Sequence, residues 1–514
     1  MKFNSLEFIF LFLPITVIVF YSLEKTNNKK ILLSWLVGAS LFFYGYWNPA
    51  YLLLICTSIA INFFIGRQIS RSRGKAKRRL LLSLGISFNL ALLGYFKYAN
   101  FFVGTVSGIS GADLQLATIA LPLAISFFTF QQIAFLADAS RHDAKEYDFL
   151  NYCLFVTFFP QLIAGPIVHH REMMPQFEDK ARLNIRTADV AVGLTIFIIG
   201  LAKKTLIADS LAVYADPVFA AAENGGHVSM VEAWGGVLSY TFQIYFDFSG
   251  YSDMAIGLAK IFGINLPLNF FSPYRSRDIG EFWRRWHITL GRFLKEYLYI
   301  PLGGNRHGLA RTAFSLSATM LLGGLWHGAA WTFVIWGGLH GAYLLAHRIW
   351  RRVVPQSQST GRLIFGWALT FLCVSVAWVF FRADSIDGAR LLLQSMAGMH
   401  GVVLPETYMR FVTPFIELFD RLGLQWGTLP LYGGRDQLAL LAMAAVIAFF
   451  LPNTFQIMTP QATDAPIRAG IRAVAAAAKL SWQPRLATAI LVGCLGAFAV
   501  AAISRTSPFI YFNF

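Results

Sequence analysis

Long apolar runs, each close to the length needed to cross a lipid bilayer, recur along most of the chain. A membrane-spanning helix needs ~20 mostly apolar residues. The runs predict spans near 5–23, 31–47, 50–66, 80–98, 116–137, 188–208, 229–248, 313–336, 363–381, 437–451 and 486–503. This pattern predicts an all-α polytopic membrane protein, because a lipid-exposed backbone must satisfy its hydrogen bonds within helices.

One apolar run is broken by helix-disrupting residues. The segment NYCLFVTFFPQLIAGPIVHH (151–170) contains Pro160, Gly165 and Pro166. Proline removes a backbone donor and interrupts a helix. Such backbone is tolerated at membrane depth only where protein covers it or where it lines a cavity. We therefore predict a re-entrant segment that enters the membrane and returns to the same side.

Composition and charge agree with a membrane protein. The 514 residues are 56% hydrophobic and 14% charged, whereas a soluble domain carries about 25% charged residues. The net charge of +16 does not require a nucleic-acid partner, because cytoplasmic loops collect Lys and Arg. Loop 67–79, which is basic and has no acid, is predicted to be cytoplasmic, with both chain termini on the opposite side.

The domain organisation is predicted to be a single integral-membrane domain, 1–514. Within it we expect N-terminal helices 1–137, a core of about 149–347 and C-terminal helices 363–514. The distance from His327 to the cytoplasmic Arg348 is too short for two full spans, which predicts a tilted, Gly-interrupted or thinned arrangement at Gly337-Gly338. The basic, Ala-rich stretch 466–485 predicts an interfacial helix on the inner face.

Polar and ionisable residues concentrate in three aromatic, Gly-rich phrases, which lie at 239–254, 272–290 and 321–343. Ionisable groups at membrane depth are costly and normally face a protein interior or a watered cavity. The concentration therefore predicts a functional site. The four cysteines are far apart in apolar runs and have neither metal-ligand nor redox spacing, so no metal site is expected.

His327 lies in GGLWHGAA, near the middle of the predicted span 313–336. Burial penalises a charged imidazolium and so favours the neutral, proton-accepting ring. That form suits a general base acting on a hydroxyl nucleophile. A structural histidine bonded to a carbonyl on a neighbouring helix explains the pattern equally well.

Other residues of these phrases are candidates for substrate binding or positioning. His287, at a predicted cytoplasmic edge, is either a positioning residue or a surface imidazole. The arginines could bind the phosphates of a nucleotide-like donor, or they could contact lipid headgroups. The role of His340 stays open, and Asp247 is expected to tie a buried Tyr or Arg rather than to orient a catalytic His. The full candidate set comprises Arg275, Arg277, Arg284, Arg285, Trp286, His287, Trp326, His327, His340 and Asp247.

Several long phrases in this order resemble the membrane-bound O-acyltransferase (MBOAT) family, in its bacterial, alginate O-acetyltransferase (AlgI)-like branch. The resemblance rests on FFPQLIAGPIVHHREMMPQF, YFDFSGYSDMAIGLAKIFGINLPLNFFSPY, FWRRWHITLGRFLKEYLYIPLGGNR and GLWHGAAWTFVIWGGLHG, and it covers most of the chain. It implies that His327 matches the catalytic histidine of the family. It also implies that His287 matches the second characteristic polar position.

The resemblance also implies a fold and a reaction. The fold is a ring of tilted helices around a thinned, tunnelled centre. The reaction is transfer of acetyl from cytoplasmic acetyl-CoA toward an exopolysaccharide such as alginate, across the bacterial inner membrane, with both chain termini periplasmic. A separate SGNH-type acyltransferase would be the partner that completes the transfer. Acetyl-CoA is then a substrate, and no cofactor is expected to be bound.

Two other functions remain open at this point. One is D-alanyl transfer from a carrier protein to a cell-envelope polymer, which is the chemistry of another branch of the same family. The other belongs to a different class, that of a non-catalytic polysaccharide export or channel component. Walker A, GxSxG and HExxH sequences are absent, which disfavours ATP hydrolysis, a classical serine hydrolase and a zincin.

Overall fold

Helices dominate the computed structural model, which describes residues 1–141, 148–179, 183, 186–354, 359–409, 417, 421, 423–458, 482–505 and 510. Of the predicted interfacial helix 466–485, only 482–485 lie within the described residues. The α-helices of these residues are α1 (Leu13–Glu24), α2 (Lys29–Gly45), α3 (Ala50–Arg71), α4 (Lys75–Leu93), α5 (Ala99–Ser110), α6 (Ile125–Ser140), α7 (Phe149–Thr157), α8 (Phe159–Leu162), α9 (His170–Glu178), α10 (Thr187–Ala202), α11 (Asp209–Glu223), α12 (Met230–Ile261), α13 (Ile279–Arg285), α14 (Ile288–Leu294), α15 (Gly308–His327), α16 (Trp331–Val353), α17 (Thr360–Arg382), α18 (Ile386–Met396), α19 (Glu406–Met409), α20 (Gly434–Phe449), α21 (Thr454–Met458) and α22 (Leu486–Ala501).

Short irregular elements connect or extend these helices. Wider π-helical turns are found at Phe8–Phe12, Gly94–Tyr98, Lys203–Ala208 and Lys295–Tyr299, and 3-10 turns at Pro273–Arg275 and Ala502–Arg505. Within the described part of the chain, two three-residue strands, β1 (Val403–Pro405) and β2 (Gln425–Gly427), pair in parallel with Val403 opposite Gln425. The all-α fold class that the apolar runs predict is therefore confirmed.

Several predicted spans coincide with helices that are apolar and long. Among the described residues, four helical stretches have the length and hydropathy to cross a membrane, namely Ala50–Arg71, Lys75–Ser110, Thr187–Glu223 and Thr360–Arg382. Two shorter apolar stretches, Phe8–Glu24 and Leu486–Ala501, match the first and last predicted spans. The chain is a multi-pass membrane protein.

The structure corrects two of the predicted spans. Residues 116–124 form no helix, and α6 begins only at Ile125, shortly after Pro122. The predicted span 313–336 is two helices, which are separated at residues 328–330, so His327 is the last residue of α15 and not the middle of a span. Conversely, α16 continues through Gly337-Gly338, where an interruption is predicted. Local hydropathy does not detect a break that is flanked by apolar residues on both sides.

The broken segment 151–170 has the irregular backbone that its prolines predict. Helix α7 ends at Thr157, α8 contains only four residues, and 163–169 form no helix before α9 begins at His170. Nearly all side chains of this segment are buried. Burial within protein is the condition under which such backbone is tolerated in a membrane protein. The predicted re-entrant path itself stays a prediction.

The chain divides into two compact units. The first contains Met1–Ala202, Gly250–Asn269 and Thr454–Ser504, and the second contains Lys203–Ser249, Phe270–Asn453 and Arg505–Phe514. Helix α12 contributes residues to both units. All of the candidate site residues belong to the second unit. The predicted division into N-terminal helices, core and C-terminal helices stays a prediction.

Buried amides connect several helices of the first unit. The side chains of Asn62 on α3 and Asn89 on α4 exchange hydrogen bonds of 2.6 and 3.3 Å, and Gln132 on α6 donates to the Ser58 hydroxyl at 3.0 Å. Interhelical hydrogen bonds of this kind contribute to helix association in membranes. They also remove the penalty of placing amides in an apolar interior.

Helices α15 and α16 of the second unit form a hairpin whose backbones touch at glycines. A Cβ added at Gly324 would lie 2.2 Å from the carbonyl oxygen of Phe333, and one added at Gly337 would lie 2.3 Å from that of Met320. Small residues at helix crossings permit this approach. The contact fixes the end of α15, and therefore His327, against the first turns of α16.

We expect Gly337→Ala to lower the apparent melting temperature of the purified protein, because its methyl group must displace backbone atoms of α15. Overpacking of this kind costs about 1–3 kcal/mol. The matched control is Gly338→Ala, whose added Cβ would lie at an ordinary 3.5 Å from the side chain of Leu321. Thermal denaturation in detergent measures the difference. Equal melting temperatures for the two variants would contradict the proposed crossing.

Candidate active site

His327 lies at the C-terminal end of α15 inside a cluster of aromatic rings. Its side chain is almost fully buried, with 4% of the residue surface exposed. The imidazole centroid lies 4.9 Å from the ring of Trp326, 5.1 Å from that of Trp336 and 5.2 Å from that of Phe381. These rings restrict the orientations that the imidazole can adopt. The apolar surroundings also strengthen any electrostatic interaction with a bound substrate.

His287 lies in the link between α13 and α14 and is fully buried. Its backbone is left-handed, with φ +42° and ψ +53°, a conformation that costs a non-glycine residue about 1–3 kcal/mol. Phe248 packs edge-on against the imidazole at 4.8 Å. Burial lowers the pKa of His287 to about 3, so the ring is neutral near pH 7 and cannot supply a positive charge.

The two histidines that the sequence singles out are neighbours. Their ring centroids are 6.4 Å apart, and Trp326 lies 6.2 Å from His287. They are forty residues apart in sequence and belong to different structural elements. A pair of buried imidazoles at this separation can place one ring on a reacting hydroxyl and the other on the acyl group or on the first ring.

His340, whose role the sequence leaves open, is tied to the same cluster through α16. It is fully buried, its ring lies 4.8 Å from that of Trp336, and its Nδ1 accepts a hydrogen bond from Trp283 Nε1 at 3.3 Å. Because Nδ1 is the acceptor, the neutral ring carries its proton on Nε2. Trp336 therefore contacts both His340 and His327.

The two candidate tryptophans have different positions. Trp326 contacts both catalytic candidates, as described above. Trp286 is buried, and its ring lies 4.9 Å from that of Trp378 and stacks on Phe282 at 5.6 Å. Trp286 thus packs within the aromatic cluster.

The four candidate arginines divide into two pairs. Arg275 donates to the carbonyls of Ala448 and Leu451, and Arg285 donates to Glu281 at 2.7 Å. Arg285 also donates to the carbonyl of Phe271 at 3.4 Å, so both side chains hold parts of the chain together. Arg277 and Arg284 have exposed side chains, which makes them the members of the set that are accessible to a dissolved anion.

Further positive charge lies close to Arg284. Burial lowers the pKa of His347 on α16, Asp278 opposes this effect, and both Arg351 and Arg284 add to it. The two guanidinium groups therefore act on the same imidazole from α16 and α13. These two arginines, together with the exposed Arg277 that precedes α13, are called the arginine surface below.

Asp247 belongs to a buried ion cluster and not to the histidine pair. Lys204 Nζ lies 2.6 Å from Asp247 Oδ1 and 2.8 Å from Asp209 Oδ1, and the backbone N–H of Ile510 donates to Asp247 Oδ2 at 3.1 Å. The expected partner, a Tyr or an Arg, is wrong, and the observed cation is a lysine. The cluster joins α11 and α12 to the C-terminal segment, which is a structural role.

Sequence reasoning missed Lys204, Asp209 and Trp336. Lys204 and Asp209 are five residues apart inside a helical apolar run, where ionisable residues are rare and usually paired, so that signal was available. Trp336 is one of many aromatic residues in the chain. No local feature separates it from the others, and only the structure shows its contact with His327.

Comparison with known proteins gives an independent result. The family model for membrane-bound O-acyltransferases matches residues 115–385. The chain is 41% identical to the "Peptidoglycan O-acetyltransferase" of Helicobacter pylori, over 100% of this chain and 97% of that one. It is 37% identical to the "Probable alginate O-acetylase AlgI" of Pseudomonas aeruginosa, over 100% of both chains. It is 26% identical to the "Teichoic acid D-alanyltransferase" of Streptococcus thermophilus, over 45% of this chain and 57% of that one.

The ion cluster gives a test that is separate from catalysis. We expect Lys204→Met to destabilise the protein by about 3–5 kcal/mol, because it leaves Asp209 and Asp247 facing each other without their cation. The adjacent, partly exposed Lys203 supplies the control, Lys203→Met. The fraction of protein that stays monodisperse in detergent on heating is the measurement.

A second variant separates charge from packing in this cluster. Replacing all three residues together, as Lys204→Met with Asp209→Asn and Asp247→Asn, removes every buried charge and should recover much of the lost stability. If Lys204→Met has the same melting temperature as Lys203→Met, the ion cluster does not stabilise the protein in the way proposed.

Proposed function

Because the chain belongs to the membrane-bound O-acyltransferase family and is an O-acyltransferase, we propose that it transfers acetyl from cytoplasmic acetyl-CoA toward a polysaccharide outside the cytoplasm. The observation that carries the proposal is the pair of buried imidazoles, His327 and His287, 6.4 Å apart in an aromatic cluster. Acyl transfer to a hydroxyl needs a neutral base at the reacting oxygen, and this pair can supply one.

In the proposed reaction His327 acts as the general base. It takes the proton from the acceptor hydroxyl while that oxygen attacks the thioester carbonyl carbon. The carbon–sulfur bond breaks, and the proton passes from the imidazole to the leaving sulfur, which gives an O-acetyl ester and free CoA. Neutral His287 assists by positioning the acyl group or the base, since its low pKa excludes a role as a cation at neutral pH.

The arginine surface is the proposed entry for the charged part of the donor. Arg277 and Arg284 are exposed, and Arg284 precedes the buried His287 by only three residues. Guanidinium groups bind phosphate oxygens with charge-assisted hydrogen bonds. A nucleotide held there would have its acyl end directed along α13 toward the histidines. Arg275 and Arg285, with their tertiary contacts, have at most a supporting part, and lipid headgroups remain the competing ligands.

The proposed acceptor is a polysaccharide such as alginate or peptidoglycan, the polymers that two full-length relatives carry in their names. The proposed location is the bacterial inner membrane, with both termini on the periplasmic side, because the basic loop 67–79 is best placed in the cytoplasm. A separate SGNH-type acyltransferase would then receive the acetyl group and place it on the polymer.

D-alanyl transfer is the second candidate within the family. The likeness to the teichoic acid D-alanyltransferase covers 45% of this chain, whereas the two O-acetylating relatives are matched over 100% of it. Acetyl is therefore the preferred acyl group. A non-catalytic export component, the candidate from another class, gives no reason for two imidazoles to be buried 6.4 Å apart.

We expect His327→Ala to abolish acetyl transfer from labelled acetyl-CoA in membranes, because the proposed general base for the acceptor hydroxyl is then missing. His307→Ala is the matched control, since that histidine is exposed on a loop. Incorporation of label into polymer measures the reaction, and detergent solubility with a monodisperse elution profile shows that each variant is folded. Normal labelling by a well-expressed His327→Ala protein would remove the catalytic assignment.

The donor entry is tested by comparing two donors. Arg277→Gln with Arg284→Gln should raise KM for acetyl-CoA about 10-fold, the effect of losing charge-assisted hydrogen bonds, and should leave kcat nearly unchanged. For acetyl-pantetheine, which lacks the nucleotide phosphates, KM should be the same in variant and wild type. Arg390→Gln, on the exposed face of α18, is the control. An equal rise in KM for both donors would show that the arginines do not bind phosphate.

A further inference from the structure

One face of α16 carries three polar side chains at intervals of four residues, namely Thr332, Trp336 and His340. All three are buried, with at most 2% of their surface exposed. Their polar atoms Thr332 Oγ1, Trp336 Nε1 and His340 Nε2 have no hydrogen-bond partner within the described part of the chain. At 1.5 Å of rise per residue, the three groups are spaced about 6 Å apart along the helix.

At least two of these atoms are hydrogen-bond donors. An indole nitrogen only donates. His340 Nε2 carries a proton because Nδ1 of the same ring accepts a hydrogen bond from Trp283. This face of α16 therefore presents N–H groups that could donate hydrogen bonds to the oxygen atoms of a ligand.

A buried donor without an acceptor is penalised relative to the same donor in water, and such groups in native proteins call for an explanation. The rings of Trp283, Trp378 and Phe381, which pack against Trp336, offer it π faces, and these accept N–H groups weakly. A bound ligand with carbonyl oxygens removes the penalty. The donor closest to the proposed reaction is that of Trp336, whose ring centroid is 5.1 Å from that of His327.

We propose that the indole N–H of Trp336 binds the carbonyl oxygen of the donor's acyl group, which makes Trp336 a further catalytic residue. This inference rests on the proposed function. When the acceptor hydroxyl adds to the thioester carbon, negative charge develops on that oxygen, and a pre-positioned donor stabilises it. The charge is lost when the carbon–sulfur bond breaks and the proton passes from His327 to sulfur.

The position of Trp336 is fixed before substrate binds. Its indole stacks on Trp378 at 5.8 Å and meets Phe381 edge-on at 5.1 Å and Trp283 at 5.9 Å. A donor held rigidly in this way needs no reorganisation during the reaction, which is the condition for effective charge stabilisation.

The test replaces the N–H without changing the shape of the side chain. Incorporation of 3-benzothienyl-alanine at position 336 puts sulfur in place of the indole N–H. The matched control is the same replacement at Trp378, which lies in the same cluster but whose N–H already donates to the Tyr274 hydroxyl at 3.2 Å. Purified protein is assayed with acetyl-CoA and a hydroxyl acceptor.

We expect the replacement at 336 to lower kcat roughly 100- to 1000-fold, as removal of one oxyanion donor does elsewhere, with less than about 3-fold change in KM. The replacement at 378 should change kcat less than about 3-fold. If the isostere at 336 is not expressed, Trp336→Phe removes the same donor.

A spectroscopic readout distinguishes direct contact from a structural effect. In the His327→Ala background, which keeps the donor intact, the carbonyl band of bound 13C-labelled acetyl-CoA should lie at lower frequency than that of the free thioester. Loss of the donor at 336 should return the band to the free value. An unchanged kcat together with an unchanged band would overturn the role of Trp336 alone. Failure of the wild-type protein to consume acetyl-CoA would instead refute the proposed function.

Discussion

The close contact of α15 with α16 determines where the candidate chemistry lies. At Gly324 and Gly337 the two backbones approach until a single added methyl group would meet a carbonyl oxygen at little more than 2 Å. The chain must then reverse direction within residues 328–330. His327 is therefore held at the end of one helix while Trp336 approaches it from the second turn of the next. Neither side chain can move far without separating the helices.

A second constraint brings His287 to the same place. Its left-handed backbone is unfavourable for a residue with a Cβ, and Phe248 and Phe270 pack against its ring. These ring contacts offset the cost of the left-handed backbone and hold the bent link between α13 and α14 in place. The link ends α13 and starts α14 in a new direction, which turns the imidazole inward toward His327. Strain at this position is consistent with a functional residue.

The second unit contains two kinds of buried polar group, which differ in whether their polar atoms are paired within the protein. Lys204 has two carboxylates within 3 Å, and Asp247 also accepts a backbone N–H. Such mutual compensation stabilises charges in an apolar interior. On the α16 face, by contrast, Thr332, Trp336 and His340 present polar atoms that no described residue satisfies. Mutual pairing accounts for the first group, whereas the second group leaves polar atoms available to a ligand.

The sequence predicts much of the fold, because hydropathy is a local property. Most of the helical runs and the broken segment 151–170 are where their composition places them, and the spans 116–137 and 313–336 are the exceptions. The break after His327 is not predicted, because apolar residues continue across it, and the interruption expected at Gly337-Gly338 is instead a helix contact. The two histidines could be named from motifs. The lysine partner of Asp247 is 43 residues away in sequence, and only the tertiary fold brings the two together.

The course of the chain through α13 relates the surface to the site. Arg284 is exposed and His287, three residues later, is fully buried. Between these two residues the surroundings change from a water-exposed guanidinium, which can bind phosphate, to a buried site in which a charge is unfavourable. A donor with an anionic nucleotide and an uncharged acyl end matches this gradient, because each part is favoured only at its own end. A hydrophilic polymer moving through a pore would need polar groups along its whole path. The gradient therefore favours an acyltransferase over a conduit on physical grounds alone.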